Sequence, residues 1–256
     1  MTTKALAVIN NYNAADDFAD MRQQDTILPR LAIQQGLSPL VMDGKAAAGD
    51  IVDSSTNKVL IKKGDKSKII PLMFWLEWIE WNPDRNAPKD KKVIERSTDP
   101  NSELARRAAR YEERVRSDGK KEFVVTEYYN FIVLAPEATQ SWTDMFSYGF
   151  CRSSHKVGKL WLNKMSKMVH DIEGQRIKAP MWSNLWELST VIEVKENNRF
   201  AVPVIGGCER LPDDYWTDLS LMATALRERR SSIVAANSGS DDTSYSEAAT
   251  QRNAEM

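Results

Sequence analysis

The sequence predicts an α+β fold: mainly antiparallel β-structure, curled or closed into a small barrel, with two to three inserted helices. Three observations predict it. Runs of β-branched and aromatic residues are separated by short turn clusters, as in successive hairpins. Helical periodicity is confined to a few segments. Strands do not alternate regularly with helices, which excludes a parallel doubly wound sheet. With 256 residues, 42% hydrophobic and 28% charged, the chain can bury a substantial core and is too apolar to be disordered.

Taken in order, residues 1–20 are polar and Asn/Asp-rich after a short apolar stretch and read as an N-terminal arm. DTILPRLAIQQGLSPLV follows as extended chain punctuated by Pro29, Gly36 and Pro39. Turn clusters at Ser54–Asn57 and Lys63–Ser67 separate expected strands at Ile51–Asp53, Val59–Ile61 and Ile69–Trp81. In the last, Met73, Trp75, Ile79 and Trp81 fall on one face and Leu72, Phe74, Leu76 and Trp78 on the other. NPDRNAPKDKK reads as a loop and VIERS as a short strand. Asn101 or Ser102 caps a helix, ELARRAARYEERVR, with the stripe Leu104, Ala108, Tyr111, Val115. EFVVTEYYNFIVLAP is a strong strand.

Residues 151–173 read as a second, basic helix with Trp161, Leu162, Met165 and Val169 as its seam. Glu187–Lys195 alternates, with Leu188, Thr190, Ile192 and Val194 inward, and turns at Asn197-Asn198 into RFAVPVI. Pro212 starts a last helix through Arg230. Residues 231–256 are Ser/Ala/Asn-rich and read as a flexible, mildly acidic tail, so residues 21–230 form one β-rich binding domain. The commonest binding version of this plan is an OB-like barrel.

Several function classes are excluded or unsupported. No apolar run reaches membrane-spanning length. The start carries no signal-peptide pattern, and two cysteines fit a reducing cytoplasm. Phosphate-loop, dinucleotide, HExxH, EF-hand and GxSxG motifs are absent. Cys151, His155, His170 and Cys208 match no common zinc spacing. Glu193-Val194-Lys195 with Pro83-Asp84 resembles a nuclease metal site only loosely, and ExK triplets arise often by chance. The expectation is a non-enzymatic protein with no catalytic residue, cofactor or metal.

The net charge of −1 hides segregation. From Lys89 to Lys121 eleven basic residues face seven acids, and from Arg152 to Lys178 seven face two. The final 26 residues carry four acids against one arginine. FSYGFCRSSHKVGKLWLNKMSK interleaves rings with cations, the mixture a single strand needs for base stacking and backbone tracking. Candidate stacking residues are Trp75, Trp78, Trp81 and Trp161; candidate phosphate ligands are Lys89, Lys91, Lys92, Arg152, Lys156, Lys159, Lys164 and Lys167. The same tryptophans also fit a plain core role. Arg106, Arg107, Arg110 and Arg114, with Glu112 and Glu113 close by, read as a solvated face laced by ion pairs.

Across most of residues 20–205, the runs LPRLAIQQGLSPLV, GDIVDSSTNKVL, IIPLMFWLEWIEW and YYNFIVL, with the basic stretch before PMWSNLWELST, resemble phage-encoded single-stranded DNA-binding proteins. The resemblance implies an OB barrel, coating of exposed strands in replication or recombination, partner contact through the C-terminal tail, and the host-cell cytoplasm. Alternatives are a virion structural or assembly protein and a regulator contacting host polymerase.

Overall fold

One long strand organises the molecule. In the computed structural model, which describes residues 28–84, 87–88, 91–115, 119, 121–195 and 198–238, β4 runs from Ser67 to Trp81. The expected N-terminal arm, Lys89 and the last 18 positions lie outside the described residues. Before β4, β1 (Leu31–Ile33), β2 (Ile51–Asp53) and β3 (Val59–Ile61) form a separate antiparallel sheet, and α1 (Pro39–Met42) sits between the first two. After it come β5 (Val93–Ser97), α2 (Glu103–Ala109), and the hairpin of β6 (Glu113–Val115) with β7 (Lys121–Phe123). β8 (Val125–Leu134), α3 (Pro136–Thr139), β9 (Met145–Phe150) and α4 (His155–Lys167) follow. The chain then forms β10 (Val169–Ile172) with β11 (Gln175–Lys178), β12 (Asn184–Lys195) with β13 (Asn198–Arg210), and α5 (Trp216–Glu228) and α6 (Arg230–Ser238).

The main sheet has six antiparallel strands in the order β13-β12-β4-β8-β9, with β5 also on β4. Its strand order does not close on itself, so the α+β expectation holds while the closed OB-like barrel does not form among the described residues. Its edges, β9 and β13, are spanned by the small β1–β3 sheet instead of pairing. Arg30 makes one bridge to Ser147 of β9. On the other edge the Gln35 amide accepts from Ala201 N–H and donates to Ala201 C=O. That side chain occupies the outward backbone groups of Ala201, blocking strand addition there.

Pro71 explains the irregular alternation in β4. It has no N–H for the ladder, and the pairing with β8 shifts register between Pro71 and Met73. Ile70, Leu72, Met73 and Trp75 therefore share one core, with Trp182 and the α5 residues Leu219 and Ala223. Leu72 thus lies with Met73 and Trp75, against the simple period-two reading. On the other face Phe74 and Leu76 pack with Phe131, Phe150, Trp186 and the α4 residues Trp161 and Met165. Gly158 makes this approach possible, because a Cβ there would lie 2.7 Å from Phe150 Cβ.

Four elements depart from the sequence expectation. The helix from Ser102 stops at Ala109; Tyr111 adopts φ 53°, and Glu113–Val115 pairs as a strand, leaving Val115 exposed. Residues 169–172, expected in the second helix, form β10. Val194, expected inward, projects from the end of β12 and is exposed. The region expected to be a tail begins as α6.

β10 is locked to the chain before β12 by a buried histidine. Ser183 Oγ donates to Pro180 C=O, so His170 Nε2, 2.7 Å away, donates to Ser183. Burial, then the Arg210 charge, pushes His170 below the ordinary value of 6.5. The unfolded chain therefore binds the extra proton first. The His170 contribution to stability, read by urea unfolding, should be flat above pH 6.5 and decline as pH falls below it. His170→Asn should flatten that decline; an unchanged pH profile would contradict this assignment.

Candidate functional site

A cavity of about 830 Å³ opens at the end of the β4–β8 pair, where α2, the β6–β7 hairpin and the start of α4 converge. Its size is that of a small-molecule or nucleotide site. Trp78, Ala105 and Val125 are buried and form its floor. Tyr111 and Phe123 stand at its side, 73% and 57% exposed, with ring centroids 6.1 Å apart. Both owe their position to the interrupted helix. The left-handed backbone at Tyr111 turns the chain out of α2 into β6, and β7 returns Phe123 beside it. Left-handed non-glycine residues cost energy and cluster at functional sites; Arg152, φ 46°, is a second one lining this cavity.

At the floor, Trp78 Nε1–H donates to Glu127 Oε1 at 3.1 Å, and His155 Nε2 lies 2.6 Å from Glu127 Oε2. The His155 hydrogen bond, aided by Trp78 and the Lys159 charge, holds Glu127 below the usual carboxylate range despite burial. Because the carboxylate is ionised, His155 Nε2 is the donor. The imidazole stands edge-on to Tyr129 at 4.9 Å. Arg114 donates to Glu122 and to Trp81 C=O. Arg107 bridges Glu80 and Glu112 and is held far above the usual arginine range by them.

The two basic blocks fare differently. In the first, Arg96, Arg106, Arg107, Arg110, Arg114 and Lys121 all pair with glutamates, as expected of a face laced by ion pairs. In the second, no described acid lies within ion-pair distance of Arg152, Lys156, Lys159, Lys164 or Lys167. α4 contains no acid at all. At 100° per residue Lys156, Lys159, Asn163 and Lys167 share its outer face, a stripe spanning roughly 17 Å from first to last. Arg152 and Lys159, together with Lys92, also line the cavity. This end of the molecule thus joins a half-apolar hollow to a row of cations with no described acid in ion-pair distance.

Of the expected site residues, Trp78, Trp81, Lys92, Arg152 and Lys159 come together around the cavity. Lys91, Lys156, Lys164 and Lys167 are exposed outside it. Three stacking assignments need correction. Trp75 is 3%, Trp78 4% and Trp161 1% exposed, so none offers an open ring face to a ligand, although Trp78 forms the cavity floor. Trp75 sits under α5 on the other side of the sheet, and Trp161 fills the interior against Phe131 and Trp186. Tyr111, Phe123, Glu127 and His155 were missed as cavity residues. For Tyr111 and Phe123 the signal available was SDGKK, a turn between two short runs able to pair as a hairpin.

Among the described residues no three His, Cys, Asp or Glu side chains converge to hold a metal ion. His155 and His170 are each bonded to a different partner, so the four-ligand set with Cys151 and Cys208 does not assemble. No described helix is long and apolar enough to cross a membrane. No match was found among curated proteins or among solved structures. Residues 1–225 match the family model described as Pam3 phage gp34-like protein, and the chain belongs to that family of phage proteins.

Proposed function

We propose that this phage protein binds single-stranded DNA without catalysing a reaction, in support of phage DNA replication or recombination. The observation that carries the reading is the contrast between the two basic blocks: the arginines of the first pair with glutamates, while the cations that lead out of an aromatic cavity along α4 have no described acid in ion-pair distance. Bases stack on Tyr111, Phe123 and Trp81, while Lys92, Arg152, Lys156, Lys159 and Lys167 follow the phosphates. Stacking on ring faces and charge contacts to phosphate are both tolerant of sequence along most of the strand.

Reversing two of these charges, Lys156→Glu with Lys159→Glu, tests the reading. Affinity should fall to a similar degree for all base compositions, and the slope of log affinity against log salt should flatten by about 0.7 per lost phosphate contact. Binding equal to the parent at low salt would remove α4 from the interface. The virion-assembly alternative has its own observation, the exposed Trp142–Tyr215 pair, stacked with centroids 4.1 Å apart and planes at 13°. On that reading sedimentation without DNA should reveal large, concentration-dependent oligomers.

A further inference from the structure

We infer that the cavity takes one nucleotide of the bound strand with its base turned inward, and that Glu127 makes guanine the preferred base there. This deepens the strand-binding reading and rests on it. The argument starts from which hydrogen-bonding groups remain free. At the inner end Trp78 Nε1 and His155 Nε2 are engaged with Glu127, and Arg114 with Glu122 and Trp81 C=O, while Trp81 Nε1 has no described partner but is buried. Acceptor capacity remains at Glu127, because each carboxylate oxygen has a second lone pair. The Glu127 side chain is 28% exposed, so it can still be reached from the cavity it lines. Toward solvent the lining adds cations: Arg152 and Lys159 are exposed and Lys92 half-buried, none with a described acid in ion-pair distance, beside the exposed acids Asp84 and Glu112.

A ligand suited to this distribution is apolar in its rings, rich in N–H donors at its inner end and anionic at its outer end. A nucleotide has that layout, with the base between Tyr111, Phe123 and the floor and the phosphate at the cationic mouth. Among the DNA bases, guanine presents two neighbouring donors on its pairing edge, the ring N–H and the amino group, which match the two oxygens of a carboxylate. Adenine and cytosine place a ring-nitrogen acceptor beside their amino group. Thymine flanks its single N–H with two carbonyls. Each of those acceptors would face an ionised carboxylate unfavourably. The α4 track stays indifferent to sequence, so the preference is confined to one position of the strand.

The test uses the full chain and oligothymidylates of roughly 15 nucleotides, a length within the usual site size of such grooves. One central position is changed to guanine, hypoxanthine, adenine or cytosine, and free dGMP serves as a separate probe. One guanine should tighten binding about tenfold over the all-thymine strand, the scale of one good bidentate contact. Hypoxanthine, which lacks the amino group, should lose most of that gain, a control that needs no altered protein. In Glu127→Gln the guanine and thymine strands should bind alike. Equal affinity of the parent for guanine and thymine strands would overturn the inference while leaving strand binding intact. Failure to bind any strand would overturn the reading beneath it. Binding of dGMP as tight as that of the guanine strand would mark a site for free nucleotide, overturning the strand-borne assignment.

Discussion

Trp161→Ala should destabilise the protein by about 3–5 kcal/mol, the usual cost of deleting a buried aromatic. The ring is 1% exposed and touches Phe131, Phe150 and Trp186, with centroids 4.5, 5.8 and 6.0 Å away. It joins α4 to the sheet, so its removal loosens the helix that carries the free lysines. Its indole Nε1 is buried with no hydrogen-bond partner among the described residues, which is why Trp161→Phe should cost distinctly less than Trp161→Ala. Urea unfolding of the two variants measures this. A Trp161→Ala protein of parental stability that binds DNA poorly would instead make Trp161 a contact residue.

Tyr111→Ala and Phe123→Ala should behave in the opposite way. Both rings are mostly in water, so their loss should move the melting temperature little. If each stacks a base, each truncation should weaken single-strand binding by about 1–3 kcal/mol, a fall of roughly 5- to 150-fold. The rings neighbour each other at 6.1 Å, so the double variant should lose less than the sum of the two single losses. Anisotropy titrations with a labelled strand decide the matter, and unchanged affinity in the double variant would dismiss the platform.

Much of the strand layout was legible because period-two patterns and turn clusters are local signals. Ile51–Asp53, Val59–Ile61, β4, β5, β8 and the β12–β13 hairpin fall where the sequence places them. The failures come from tertiary effects. The stripe Leu104, Ala108, Tyr111, Val115 has helical spacing, yet only its first turns have a core to pack against, with Leu104 fully buried and Tyr111 exposed. Beyond that core the chain instead pairs Glu113–Val115 with Lys121–Phe123. The Pro71 register shift likewise moved Leu72 to the opposite face, since one extra residue in a ladder inverts every later side chain.

The candidate site was half legible. Basic residues reveal themselves by composition, and Lys92, Arg152 and Lys159 do line the cavity. Exposure of a tryptophan does not, because packing decides it: the identical residue type is interior core at Trp75 and Trp161, buried cavity floor at Trp78 and half-buried cavity wall at Trp81. Glu127 and His155, 28 positions apart, meet only through the packing of α4 on β8. No local spacing could have paired them.

Tryptophan fluorescence during titration with a poly-dT strand of about 30 nucleotides, at two salt concentrations, tests strand binding most directly. Trp78 and Trp81 line the cavity and should report a base entering it. Saturable quenching that weakens at the higher salt is the expected result, placing bases against the rings and phosphates on the α4 lysines. No change in fluorescence, and no retention of the strand, at the lower salt would contradict single-strand binding at this site.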